Sequence, residues 1–539
     1  MNGGIFTFAP TRRGFLAGTA TLLASTALTR PVFADDTPTP GGTLVVAADT
    51  EPRNLNPAIV ASNGVFYVAS KVIEPLAEMT FDGPPRPVLA TSWQGSADGL
   101  SFTFNLRKNV AFHDGEPFTS ADVAFSALQV WKPLQNLGQV VFANLATVDT
   151  PDKHTAIFRF SKPTPPQLIE NALPALTSVL PKHLYDGTDI ANNPHNIQLV
   201  GTGPFQLTEY AQGQYYRLTK NPNYWDTGKP YLDGIVYRVL PDRASTSAAL
   251  ESGEVQLSAF SGVPLVDLKR LATLPQLSVI TKGYEGITYQ LTLEINHANK
   301  VLSDVRVRRA LAHAIDQKVI VDTIFLGYAQ AAQGPIPETA KTFFADGLPT
   351  YPFDPKAAEK LLDEAGHKKD KNGVRFRLRL LPAPWFEQTV QTGTYVRQAL
   401  KAVGIEVEIV SHDAAGHTKA VYTDRDFDIA IGSPVYRNDP AISTTILFQG
   451  GLKKGIPFSN QYNFDDPKLD AVIAEAAITI DTAKRIELYK EFQRIVVDEL
   501  PILNLVNFTF VTVANKAVHN VSNNPRWATS SWYDTWLTH

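Results

Sequence analysis

Val374-Arg375-Phe376-Arg377-Leu378-Arg379-Leu380 alternates apolar and basic residues with a period of two, the spacing of a half-buried β-strand. Val374, Phe376, Leu378 and Leu380 are expected to face inward and the arginines outward. Residues from Gln388 to Ala402 read as a helix, and Ile405 to Val410 as a second strand. Parallel strands joined by a crossover helix make an α/β layer, and ligands gather at the carboxyl ends of such strands. The loop Pro382-Ala383-Pro384-Trp385-Phe386 is therefore a site candidate on topology alone. Trp385 and Phe386 are its aromatic members, suited either to core packing or to stacking on a ligand.

Outward from this unit the alternation of strands and helices continues. Ser303 or Asp304 caps a helix in which Val307, Ala310, Leu311, Ala314 and Ile315 fall on one face. Asp354-Pro355 and Asp466-Pro467 each open a helix, and Asp481 starts another. Toward the N-terminus, Thr43 to Ala47 reads as a buried strand. Phe102, Phe104 and Leu106 alternate with polar residues, as do Ala156, Phe158 and Phe160, so both runs read as half-buried strands. Thr119 is placed to cap a helix through Leu128, with Asp122 in its first turn.

The first forty residues bear on the compartment. Arg12-Arg13 precede an uncharged apolar run from Phe15 to Leu28 that is too short to span a bilayer well. Val32-Phe33-Ala34 has the small residues of a cleavage site, so residues 1–34 are expected to be a twin-arginine signal peptide, removed after Ala34. Residues 35–42 read as a mobile tether. No cysteine follows the apolar run, so the exported chain is expected in the periplasm, soluble and not lipidated. The chain has no cysteine at all, which removes disulfides, thiolate ligands and thiol nucleophiles. The formal charge of −4 and the lack of a basic run argue against a nucleic-acid partner.

Catalytic signatures are absent: no G-x-S-x-G, no P-loop, no H-E-x-x-H and no G-x-G-x-x-G occurs. His412 and His417 could hold a metal across a loop or could be solvated, and the solvated reading is preferred. His113-Asp114-Gly115 reads as a turn, and Asp465-Asp466 as a helix cap. No catalytic residue, no metal and no cofactor is expected.

Several blocks, taken in order, resemble the peptide/nickel/opine family of ABC solute-binding proteins, extracellular family 5. They include Gly41-Gly42-Thr43-Leu44-Val45-Val46, Leu89-Ala90-Thr91-Ser92-Trp93, Phe112-His113-Asp114-Gly115-Glu116-Pro117-Phe118-Thr119 and Gly201-Thr202-Gly203-Pro204-Phe205. Asn221-Pro222-Asn223-Tyr224-Trp225 and Asp304-Val305-Arg306-Val307-Arg308-Arg309-Ala310-Leu311 follow. The resemblance implies a two-lobed α/β periplasmic-binding-protein fold with an extra inserted domain. Domain I would comprise 43–75, 200–280 and 501–539, domain II 76–199 and domain III 281–500. A small solute would bind between domains I and III, which close by a hinge and present it to inner-membrane permease subunits. A monomer is expected.

One stretch departs from the family pattern. Many peptide-binding members carry G-W-x-x-D-x-x-D-P, whose middle Asp takes the peptide's amino terminus. Here the stretch is Gly432-Ser433-Pro434-Val435-Tyr436-Arg437-Asn438-Asp439-Pro440, with Tyr436 in that place and Arg437 beside it. A phenol cannot compensate a buried ammonium as a carboxylate can, unless another acid such as Asp439 or Glu285 does so. Arg437 suits a carboxylate or phosphate. An opine-like or other acidic conjugate is therefore expected, the alternatives being an oligopeptide, a metal chelate or, in another class, a periplasmic hydrolase. Ser62, Asn63 and Gly64 after the first strand, and Tyr284 before the strand Thr288 to Glu294, complete the ligand-binding candidates by resemblance.

Overall fold

A computed structural model describes residues 37–60 and 62–538. The expected leader and its cleavage site lie outside the described residues. The compact unit Thr39–His539 is built on two seven-stranded sheets and one four-stranded sheet.

The first sheet centres on Thr43–Ala48, which runs parallel to Gly234–Val239 on one side and to Leu257–Ser258 on the other. The hairpin Phe205–Ala211/Tyr215–Lys220 extends one edge, and Thr512–Asn515 with Leu277–Ile280 forms the other. Leu44 and Val46 enter one apolar cluster while Ala47 enters another with Leu250, Leu268 and Val513. Burial on both faces explains why this strand reads as a continuous apolar run rather than an alternation.

The second sheet runs Ala329–Ala331, Ile502–Phe508, Thr288–Ile295, Ile429–Gly432, Phe376–Pro382, Ile405–Ile409, with Val435–Tyr436 also pairing to Thr288–Ile295. The βαβ unit is present: Phe376–Pro382 and Ile405–Ile409 are parallel, and the helix Glu387–Ala402 joins them. Leu378 and Leu380 are buried, while Arg377 reaches Glu406 at 2.6 Å on the exposed side. Arg375 differs from its expected outward placement. Its side chain is 3 % exposed, bonding Asp363, the His367 carbonyl and the Val403 carbonyl, so it ties two helix exits to the start of the strand.

The four-stranded sheet, Ala90–Gly95, Ser101–Leu106, Thr155–Phe160, Leu145–Asp152, buries Phe102, Phe104, Phe158 and Phe160 by period-two alternation. Asp304, Asp354, Asp466 and Asp481 each cap a helix by accepting from backbone N–H groups within it.

Residues 501–539 do not stay with one sheet. Ile502–Phe508 belongs to the second sheet and Thr512–Asn515 to the first, so the chain crosses between lobes at 509–511. A second crossing, 281–287, links Leu277–Ile280 to Thr288–Ile295. The two crossings lie side by side: Tyr284 Oη and Thr512 Oγ1 are 2.6 Å apart, and the ring of Phe510 packs edge-on against Tyr284 and Tyr289. A paired crossing between two rigid sheets has the form of a hinge.

Candidate functional site

The site lies where the first helix and the C-terminal segment of the first lobe meet the loop 435–439 of the second. After Thr43–Ala48 the chain reaches Ser62, whose Oγ accepts from the Val65 N–H and caps the helix Asn63–Ala69. Asn63, in its first turn, donates from Nδ2 to Tyr289 Oη at 3.2 Å, a contact between lobes. Gly64 is close to Thr50: a Cβ would lie 3.1 Å from its Oγ1.

Across the cleft, Val435–Tyr436 is a short strand, and period-two geometry sends successive side chains to opposite faces. Tyr436 goes inward, clustered with Ile336, Phe343, Ala476 and Tyr489. Arg437, the first residue after the strand, is half-buried. Its Nη1 is buried with no hydrogen-bond partner among the described residues. Asn438 adopts the left-handed conformation (φ 48°) that Asn tolerates, and its Nδ2 approaches Met79 Sδ at 3.2 Å.

The third contributor is Arg526, on the segment after the last strand of the first sheet. It is 3 % exposed, and both Nη1 and Nη2 are buried without a hydrogen-bond partner among the described residues. Its guanidinium stands 5.7 Å from the Phe66 ring centroid. Gly286 is required here, since a Cβ would come within 2.7 Å of Arg526 Cγ and 2.8 Å of Met79 Sδ. Burial lowers the pKa of Arg526 to about 9, and the positive charge of Arg437 adds to the effect. Burial also lowers that of Arg437, with Tyr289 opposing. Neither guanidinium is ion-paired among the described residues.

The acids that might have met a ligand's ammonium are placed differently from expectation. Asp439 is engaged within the second lobe: both its oxygens accept from Arg485 at 2.7 and 2.8 Å, and both partners are fully buried. It also accepts from the Ala441 N–H and from Asn171 Nδ2, so its lone pairs are taken. Burial works against the charge of Arg485, and Asp439 overcomes it, holding the guanidinium pKa above its ordinary value. Glu285 accepts from the Gly283 N–H at 2.9 Å.

The remaining expected residues divide. Tyr284 is buried at the hinge, its hydroxyl shared between the Phe260 N–H and Thr512, so it serves the crossing rather than the cleft. Trp385 donates to Ser433 Oγ at 2.8 Å and meets His417 edge-on at 5.0 Å. His417 is buried in that apolar contact, which lowers its pKa to about 4; burial leads and His412 adds to it. Phe386 stands edge-on to Tyr289 and Phe508, 5.6 and 5.9 Å between centroids, close to the hinge. Arg526, Tyr289 and Asn438 were not anticipated. The only sequence signal for Arg526 is an arginine among Asn523-Asn524-Pro525 and Trp527, which is a weak one.

The description "Bacterial extracellular solute-binding proteins, family 5 Middle" matches residues 84–455. The chain belongs to that family. The dipeptide-binding protein of Escherichia coli is 28% identical over 503 residues, covering 88% of this chain and 91% of the relative. Among solved structures, the substrate-binding protein CtaP of Listeria monocytogenes superposes with a TM-score of 0.81 at 24% identity, over 93% of this chain and 100% of that one. The binding protein AgaA of A. tumefaciens R10, in complex with agropinic acid, gives a TM-score of 0.76 at 25% identity, over 92% of this chain and 99% of that one. Family 5 proteins are binding proteins for small solutes, and this member has their multi-domain, two-lobed α/β fold. Among the described residues no helix is long and apolar enough to cross a membrane.

Proposed function

We propose that this family 5 protein is the periplasmic capture component of an ABC importer, closing on a small acidic solute whose anionic group is held by Arg437. The observation that carries the reading is the charge balance of the cleft loop. Arg437 has an unpartnered buried nitrogen, Tyr436 is turned into the core, and Asp439 is consumed by Arg485. An ammonium buried beside such a loop lacks a counter-charge, whereas a carboxylate or phosphate finds a donor fork. An opine-like conjugate meets these conditions, in keeping with the likeness to AgaA with agropinic acid. The division into domain I, the inserted domain 76–199 and domain III, the removal of residues 1–34, and a monomeric state belong to the same reading.

A peptide is the second reading, favoured by the likeness to the E. coli dipeptide-binding protein. Mass spectrometry of solute released from the denatured protein, followed by calorimetry with agropinic acid and with unmodified dipeptides, separates the two. An acidic conjugate is expected. Tight binding of plain di- or tripeptides overturns the acidic-solute reading.

A further inference from the structure

We infer that Arg526 and Arg437 form a single anion site, completed only when the lobes meet, and that their repulsion keeps the ligand-free protein open until a carboxylate- or phosphate-bearing solute bridges them. This inference rests on the solute-binding reading above and adds to it a second binding residue and the force that couples binding to closure.

The two guanidiniums come from opposite lobes. Arg526 is anchored to the first lobe by its surroundings. Lys71 Nζ donates to the Ala528 carbonyl at 2.9 Å, Ser70 Oγ to the Ser530 carbonyl at 3.0 Å, and the Ser531 N–H to Glu78 at 3.0 Å. Arg437 follows the strand Val435–Tyr436 of the second sheet. Both approach Met79: a Cβ on Gly286 would lie 2.7 Å from Arg526 Cγ and 2.8 Å from Met79 Sδ, and Asn438, next to Arg437, reaches that sulfur at 3.2 Å, while Asn63–Tyr289 and Asn171–Asp439 also join the lobes.

Within that arrangement each guanidinium keeps free donors: Nη1 of Arg437 and both terminal nitrogens of Arg526. Leaving such donors unmet when buried is unfavourable, and a second cation beside them makes it worse. Glu78, a buried acid of the first lobe that lines the same small cavity as Arg526, is held by Arg86 at 2.8 Å and by the Ser531 N–H. A planar carboxylate or a phosphate supplies acceptors to both forks at once. Closure then gains free energy from the anion in the closed state alone, which is the differential affinity that any ligand-driven closure needs.

The test reads charge directly and needs no solute for its first arm. Small-angle scattering of the ligand-free protein should give a smaller radius of gyration for Arg526→Glu than for wild type, because a cross-lobe ion pair replaces a repulsion. Arg526→Glu combined with Arg437→Glu should reopen it. Arg526→Met, a milder change, should shift the radius in the same direction as Arg526→Glu and covers the case in which the charge reversal fails to fold. A wild-type radius equal to that of both single variants overturns the inference. In the second arm, calorimetry with glutarate and with inorganic phosphate distinguishes the two anion classes. Arg526→Met should bind the preferred anion at least about tenfold more weakly. Equal affinities for wild type and Arg526→Met overturn the two-arginine site and leave the acidic-solute reading standing. Tight binding of a neutral, end-capped dipeptide that Arg437→Met does not weaken overturns that reading itself. Where neither anion binds, the scattering result alone decides.

Discussion

Arg485 and Arg526 are both buried arginines, and the protein treats them in opposite ways. Arg485, inside the second lobe, meets both oxygens of Asp439 and also Tyr489 Oη, and all its charge is answered within the fold. Arg526, where the lobes meet, has the Phe66 ring beside it and feels the positive charge of Arg437, and it has no ion-pair partner among the described residues. Asp439 and Arg437 repeat the contrast two residues apart on one loop. A buried charge with its partner built in holds a structure together. One without a partner among the described residues is a demand on something more.

The largest effect should come from breaking the answered pair. Asp439→Ala leaves the Arg485 guanidinium buried without its carboxylate, and chemical denaturation should show a loss of about 3–5 kcal/mol. The double change Asp439→Ala with Arg485→Met should recover much of that loss. An undiminished stability of the single variant would mean that water reaches Arg485 and that the contrast with Arg526 is not one of burial.

Next comes the acid that resembles Arg526 in being buried without a counter-charge. Glu294 is 2 % exposed, its Oε2 has no hydrogen-bond partner among the described residues, and burial pushes its pKa up to about 7, with Gln461 opposing. A carboxyl whose folded pKa is raised stabilises the fold while protonated. That contribution is present at low pH and is lost as pH rises from about 4.5 through about 7. Glu294→Gln should remove this slope and gain on the order of 3 kcal/mol or slightly more at pH 8 over wild type, by the equivalence of one pKa unit to about 1.4 kcal/mol. Denaturation curves across pH 4 to 8 check it, and a parallel slope in the variant would place the titration elsewhere.

A smaller pair of changes sharpens the contrast within the loop. Arg437→Met should weaken binding of the solute recovered from the protein by about tenfold or more, roughly 1.4 kcal/mol. Tyr436→Phe removes a hydroxyl that has no partner among the described residues and should leave affinity and stability nearly unchanged. Equal losses from both would show that the phenol also reaches the solute. The smallest effect is expected of Asn171→Ala, which removes one contact between the helix Pro166–Leu176 and Asp439. It should cost about 1 kcal/mol in denaturation, well short of Asp439→Ala.

Much of the architecture is legible in local sequence because its causes are local. Alternating Phe102-Phe104-Leu106 and Ala156-Phe158-Phe160 become the facing strands of one sheet, and each Asp before a helix caps it. The βαβ unit around Leu378 and Leu380 follows from periodicity and crossover length. Arg375 departs from the outward placement because alternation says which side a residue leaves the strand, not whether helix ends lie on that side to receive it. Tyr436 enters an apolar cluster with Phe343 and Tyr489, while Arg437, one residue past the strand, keeps a buried nitrogen without a partner among the described residues, and nothing in the local sequence signals that division.

The sequence by itself determined the α/β class, the caps, the order of strands and helices, and the family, because short-range spacing and block order are carried by the chain directly. Only the tertiary structure decided that Asp439 answers Arg485, that Tyr284 is buried at the paired crossing between the sheets, and that Arg526 from the C-terminal segment packs by Gly286 and Met79, the latter also reached by Asn438. A hydrogen-bonded ion pair needs donor and acceptor within about 3 Å, and distance along the chain says nothing about which side chains folding brings that close.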